Sequence, residues 1–377
     1  MNYLNCSLIV LVLVILMTSS GLAQSDLQQQ TILMTYIPNI QFSPMYLAIE
    51  AGYFAEAGAE VSLEYLNEPE VVDLIAANEN QFGIVSGEQV ILAASQERPI
   101  VYVYEWFQQY PIGIVYSSDM EINSVEDLAG LHIGIPGRFG ATYTGFTTLL
   151  ESADMVETDV NLEEIGFAAA EVFCVGAIDA SVVYVNNEPL QIRHRAQNGD
   201  CGNVSDVNVL PVSSVIDLVS NGLITNQELI DNDPEFVQAM VAAYDTGLSV
   251  VINNPAHAYL LSASYIEGLP LGDDFRAALE TLADEQDVFL AANPDREAVA
   301  ASREAMYNTL AEQFDSETLL QFEVLLASID LWDAEQLGYT DAQSWVNMQD
   351  TLITLKQLDA PIELEGIYTN EFLPEGD

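Results

Sequence analysis

The chain has 377 residues, 50% of them hydrophobic, enough to bury the cores of about two or three compact units and too apolar for a disordered chain. Against 58 Asp and Glu stand 8 Lys and Arg, a formal charge of -50 at pH 7, which excludes a nucleic-acid partner because phosphate neutralisation needs clustered basic side chains. Such acidity reads either as adaptation to salty surroundings, where screening suppresses self-repulsion, or as an ordinary solvated surface, and it decides nothing about function.

At the N-terminus an uncharged run, 6–17 (CSLIVLVLVILM), leads through Thr18, Ser19 and Ser20 to Gly21 and Ala23, small residues where a signal peptidase reads. Residues 1–23 are therefore expected to be a signal peptide. A membrane anchor is the other reading, but about a dozen apolar residues fall short of the roughly 20 that span a bilayer as a helix. No Lys or Arg precedes the run, and Cys6 comes too early for a lipid-anchored start.

Residues 31–36 read as a strand, Pro38 and Asn39 as a turn, and Ser43-Pro44 as an N-cap with proline at the first position of a helix that ends near Gly52. Beyond a turn through Tyr53, Phe54 and Gly58, Val61, Leu63 and Tyr65 alternate with polar residues as a strand requires, completing a βαβ unit. Further strands are predicted at 82–86 and 100–104. A second series opens with Ser124-Val125-Glu126-Asp127, shaped like a capping box, and continues through a strand at 132–135, the loop 136–140 and a helix over about 142–152. Strands at 161–166 and 178–185 extend the alternation, which argues for parallel α/β sheets rather than a sandwich or a bundle. From Asp233-Pro234 the pattern turns helical, with Phe236, Val237, Met240, Val241 and Tyr244 on one core-facing stripe and further helices over 276–291, 295–313 and 342–358.

The expected fold class is α/β with two lobes of mostly parallel sheet flanked by helices. One lobe takes 24–115 and 218–377, the other 116–217, and the chain crosses near Val115 and Leu218. Without the signal, Cys174 and Cys201 remain, an even number in an oxidising compartment, either joined as a disulfide or buried as separate thiols.

No catalytic constellation stands out. His132, His194 and His257 lie far apart with no partner at ligand spacing, so no metal is expected. Val85-Ser86-Gly87 lacks the earlier glycine of a nucleophile elbow, and the one lysine, Lys356, sits in no phosphate loop. A binding cleft reads better, because in open α/β sheets ligands sit at the carboxyl ends of strands, beside helix N-termini. Loops with that placement offer Tyr36, Asn39 and Phe42, then Arg138, Phe139 and Thr142, then Tyr184, Asn186 and Glu188. The cluster 106–110 (WFQQY) adds Trp106 and Tyr110, which read either as core packing or as part of the site.

The run 43–58 (SPMYLAIEAGYFAEAG) resembles the opening motif of the transporter-linked binding proteins for thiamine-precursor pyrimidines and sulfonates. Leu128-Ala129-Gly130 with Ile133-Gly134-Ile135-Pro136-Gly137 looks like that family's second strand and loop. The stretches 82–89, 106–111, 136–141, 186–189 and 368–372 look like its branch for pyrimidine precursors of thiamine or for riboflavin. Leu131-His132 departs from the pattern where the family carries lysine. The related pyrimidine synthases carry a cysteine-rich iron motif where only Cys174 follows Phe173 here, so their chemistry is not carried over.

The resemblance implies a type II periplasmic-binding fold with two lobes closing about a hinge. It also implies an exported monomer, in the periplasm or at the outer face of the membrane, with an ABC permease and its ATPase as partners, no cofactor and no catalysis. The expected ligand is a neutral heteroaromatic vitamin, riboflavin ahead of the thiamine pyrimidine, because Arg138 is the one basic residue in the cleft loops and an anion needs several donors. An exported pyrimidine-metabolism enzyme and a sulfonate- or nitrate-type binder are the alternatives.

Overall fold

The structure, a computed structural model, describes residues 27–374; the expected signal segment 1–23 lies outside them. Its strands are β1 (Gln28–Thr35), β2 (Ala59–Leu66), β3 (Phe82–Ser86), β4 (Ile100–Glu105), β5 (Ile112–Ser117), β6 (His132–Ile135), β7 (Asn161–Glu164), β8 (Ala180–Tyr184), β9 (Val207–Pro211) and β10 (Asn221–Asn226). They form two sheets, β2-β1-β3-β10-β4 and β7-β6-β8-β5-β9, each the core of one lobe.

Both sheets are mixed for the same reason. β1 runs parallel to β2 and β3, and β6 parallel to β7 and β8, as βα alternation requires. The strands that arrive from the other lobe, β10 in the first sheet and β5 in the second, enter from the cleft edge and pair antiparallel on both sides. The outer strand β2 shows half-buried Val61, Leu63 and Tyr65 against exposed Glu60, Ser62 and Glu64, a charged edge that discourages pairing with another chain.

The first crossing falls at 106–111, ahead of the expected Val115. Val115 sits in the middle of β5, paired with Ser181 and Val209, so it belongs wholly to the second sheet. The return occupies 212–220, which includes Leu218. Helix entry also differs from the sequence reading: Ser43 is already helical, and the chain enters through a tight turn, Ile40–Phe42, capped by the Asn39 side chain, which accepts the Gln41 N–H at 3.0 Å. Asp233 does cap the helix Pro234–Asn253, accepting the Phe236 N–H at 3.1 Å. That helix buries Phe236, Val237, Met240, Val241 and Tyr244 and lies against the helix Ser43–Glu50. Gly247 permits the approach, since a methyl there would sit 2.6 Å from the Pro44 carbonyl oxygen.

The C-terminal segment returns to the first lobe. Tyr368 stacks on Trp345 of the helix Ala342–Thr354, ring centroids 4.7 Å apart, and bridges to Tyr102 of β4. Asn370 fixes this return by exchanging hydrogen bonds with the Thr340 backbone, each at 3.0 Å. Among the described residues no helix is long and apolar enough to cross a membrane.

Cys174, at the end of the helix Ala169–Cys174, is bonded to Cys201, 27 positions on, both of them buried in the second lobe. The closed loop spans the helix Glu188–Gln197, and in the chain-entropy model it stabilises the fold by about 3 kcal/mol. Denatured, unreduced protein lacking residues 1–23 is expected to take up no alkylating reagent, and two equivalents after reduction. Uptake of two equivalents without reduction would show the thiols to be free. Replacing both cysteines with serine is expected to lower the urea unfolding midpoint.

Candidate ligand-binding cleft

The carboxyl ends of β1, β3, β6 and β8 face the same gap between the lobes, and both crossings run along it. An enclosed cavity of about 70 Å³ lies there. Of the residues expected at the site, Tyr36, Phe42, Trp106, Phe139, Thr142, Tyr184 and Glu188 line it. One wall is aromatic: the Phe42 and Trp106 rings lie 5.6 Å apart and tilted by 36°, Phe107 meets Trp106 edge-on at 4.6 Å, and Tyr184 meets Phe107 at 6.0 Å. Trp106 is 3% exposed, and its indole Nε1–H has no acceptor on the protein. The loss of solvation at that donor is uncompensated within the protein.

Four expected site residues lie elsewhere, each with a structural task. Asn39 caps the entry to the first helix. Tyr110 is buried, and its hydroxyl donates to the Ala141 carbonyl at 2.9 Å. Asn186 links the lobes by donating to Gln41 Oε1 at 2.8 Å and Ser328 Oγ at 2.7 Å. Arg138 points away from the cavity, held by Glu157 at 2.9 Å and by Glu164, since a guanidinium at the surface of so acidic a chain finds carboxylates nearby.

The sequence reading missed Gln41, Asn67, Glu68, Phe107, Phe167 and Asn221, all of which line the cavity. Asn67 and Glu68 occupy the loop from β2 into the helix Glu68–Ala76, and Phe167 the loop after β7, so the carboxyl-end rule could have found them. Phe107 stood inside the aromatic cluster already noted. Asn221 opens β10 and carried no sequence signal; its Oδ1 accepts the Tyr184 hydroxyl at 3.0 Å across the cleft.

Beneath the aromatic wall lies a buried acid pair. Glu68 accepts the Ser86 N–H at 2.9 Å and also contacts the Ser86 hydroxyl, which in turn contacts Glu88. One hydroxyl proton cannot serve two carboxylates, so one of the acids brings its own. Burial raises the Glu68 pKa, opposed by hydrogen bonds from Ser86 and from the Ala141 backbone of the opposite lobe. Glu88 is bonded at one oxygen only, by Ser86 and Gln89 at Oε1 while Oε2 has no partner, and burial, then the Glu68 charge, pushes its pKa up to about 8. Burial therefore favours the protonated form of Glu88. Gly140, at φ +65, opens the helix Gly140–Glu151 where any Cβ would strike the Glu68 carboxylate.

Glu188 closes the far side. It accepts the Tyr184 N–H at 3.0 Å and approaches the Tyr36 hydroxyl at 3.4 Å, and burial pushes its pKa up to about 7. No Lys or Arg lines the cavity. Among the described residues no group of three or more His, Cys, Asp or Glu is placed to hold a metal ion.

Residues 39–258 match the family described as NMT1/THI5 like. The chain is 33% identical over 362 residues to the riboflavin-binding protein RibY of Chloroflexus aurantiacus, covering 94% of this chain and 88% of that protein. It is 26% identical over 256 residues to a formylaminopyrimidine-binding protein of Halalkalibacterium halodurans, 67% of this chain and 76% of that one. A 4-amino-5-hydroxymethyl-2-methylpyrimidine phosphate synthase of Legionella pneumophila is 21% identical over 246 residues, 64% of this chain and 75% of the enzyme. The ligand-binding component of an ABC-type import system from Staphylococcus aureus superposes with a TM-score of 0.60 at 12% identity, covering 93% of this chain and 99% of that one, and shows the two-lobed periplasmic-binding fold.

Folding keeps a proton on Glu88 up to about pH 8, whereas an unfolded glutamate releases it near 4.5. This contribution to stability is therefore full below about pH 4.5 and is lost as pH rises through about 8. Glu88→Gln copies the protonated form. Urea unfolding is expected to give equal midpoints for the variant and the parent protein at pH 5, and a variant more stable by upwards of about 1 kcal/mol at pH 8.5. A variant less stable by the same amount at both values would mean that Glu88 is ionised in the folded protein.

Proposed function

The chain belongs to the NMT1/THI5-like family and is a solute-binding protein of the ABC import type, and from this and the cleft geometry we propose that it captures riboflavin outside the cytoplasm. The observation that carries the reading is the cavity wall of Phe42, Trp106, Phe107 and Tyr184, with an unpartnered indole N–H and no basic side chain. A flat heteroaromatic ring stacks on such a wall and supplies the missing acceptor. A sulfonate or nitrate would meet Glu68 and Glu188 with no cation to offset the loss of its hydration, so the cleft disfavours an anion. The higher similarity to the riboflavin-binding relative supports reading riboflavin ahead of the formylated pyrimidine.

The loaded protein would present its ligand to a membrane permease driven by an ATPase, acting as a monomer whose lobes close at 106–111 and 212–220. Binding rather than catalysis fits the two relatives named for what they bind. The acid pair is consistent with this, because Ser86 is spent between Glu68 and Glu88 with no histidine beside it.

Titration of the purified protein with riboflavin is expected to quench flavin fluorescence through stacking on the Trp106 indole. Trp106→Ala loses the contact and the area it buries, and is expected to weaken binding by about tenfold or more. Arg138→Ala is expected to change affinity by less than about twofold, because its partners lie outside the cavity. Binding of an aminopyrimidine with no response to riboflavin would shift the assignment to the thiamine precursor. Tight binding of a sulfonate that collapses in Arg138→Ala would overturn the heteroaromatic reading.

A further inference from the structure

A second cavity, of about 670 Å³ and open to solvent, adjoins the first. Tyr36 and Phe167 line both and so form the partition between them. Tyr36 follows β1 in the first lobe, and Phe167 follows β7 in the second. Their rings meet edge to face, 4.8 Å between centroids and 82° between planes. The Tyr36 backbone has φ 72, a left-handed value a bulky residue rarely adopts, and Phe167 stays 44% exposed behind Gly166 at φ 60.

The inner cavity, at about 70 Å³, is far smaller than the roughly 300 Å³ at which pockets begin to hold an organic ligand of several rings. The adjoining space on the far side of the two aromatics is nearly ten times larger. Its walls differ in kind from the inner one: Gln191, His194 and Asn198 of one lobe face Gln321, Glu267 and Glu317 of the other. Its one guanidinium, Arg195, is already paired with Glu171. Such walls offer hydrogen bonds to an uncharged polar chain and repel an anion.

We propose that the ligand lies across both cavities, its flat ring against Trp106 and an uncharged, hydroxyl-bearing tail threaded between Tyr36 and Phe167 into the outer cavity. The two aromatics then act as a gate that parts with the lobes to admit the ring and closes around the tail, and the outer walls select the tail. The inference rests on the riboflavin reading, since riboflavin joins a flat ring system to a polyhydroxylated chain.

The test compares riboflavin with lumiflavin, which keeps the ring but replaces the tail with a methyl group, and with riboflavin 5′-phosphate, which ends the tail in an anion. Riboflavin is expected to bind at least tenfold tighter than either, with the gap to the phosphate narrowing as salt is raised. In Gln321→Ala and Asn198→Ala, two surface-accessible sites, the riboflavin-to-lumiflavin affinity ratio is expected to fall at least threefold. In Phe167→Ala riboflavin is expected to dissociate at least fivefold faster. Equal affinities for riboflavin and lumiflavin, or an unchanged ratio in both outer-wall variants, would overturn the inference while leaving riboflavin binding intact. If no flavin binds at all, the functional reading fails and the two-cavity inference falls with it.

Discussion

The backbone N–H groups of Trp106 and Phe107 share the carbonyl oxygen of Asn221, at 3.0 and 3.2 Å, and the buried carboxyl of Glu105 accepts the Ser220 N–H at 3.1 Å. These bonds lay the two lobe crossings side by side at the carboxyl edge of the first sheet, and the site depends on them. They turn Trp106 and Phe107 out of the β4 register and into the cleft, and they put Asn221 within reach of Tyr184 from the other lobe. Burial pushes the Glu105 pKa up to about 8, so at neutral pH this junction is held by hydrogen bonding without an added buried charge. The two crossing segments are short, whereas the sheets on either side are each held by pairing between their strands.

Charge is partitioned just as sharply. The surface carries the excess of carboxylates, and six of the seven arginines, all but Arg276, lie in ion pairs with carboxylates, Arg303 in a buried one with Asp333. The interior keeps Glu68, Glu88, Glu105 and Glu188 with raised pKa values, because burial penalises the charged form. No Lys or Arg lines the inner cavity, so the ligand proposed for it would be held by stacking and directed hydrogen bonds, interactions that salt screens little.

Much of the fold was legible locally. The caps at Ser124 and Asp233, the alternation in β2 and the apolar stripe of the helix Pro234–Asn253 are set by neighbours in sequence, and the structure keeps each of them. The first crossing lies ahead of Val115 because the switch between sheets depends on which partner strands the residues after the 106–110 cluster find, and Val115 pairs within the second sheet. At the site the aromatic positions were legible, since Phe42, Trp106 and Tyr184 occupy loops that the sheet rule points to. Of the polar positions, Thr142 and Glu188 were legible and three others were not. Asn39, Asn186 and Arg138 have the right chemistry and placement along the chain, yet each is claimed by a nearby cap, an interlobe bond or a surface carboxylate.

By itself, then, the sequence determined the α/β alternation, the cap at Asp233 and the scarcity of basic residues, because these follow from short-range periodicity, capping chemistry and composition. Tertiary structure alone decided where the chain changes sheets, which carboxyls sit in the interior and hold protons, and how Tyr36 meets Phe167 across the gap. The physical reason is that a side chain's burial and protonation are properties of the atoms packed around it. In this cleft those atoms come from segments as far apart as Glu68 and Ala141, Tyr36 and Glu188, or Tyr184 and Asn221.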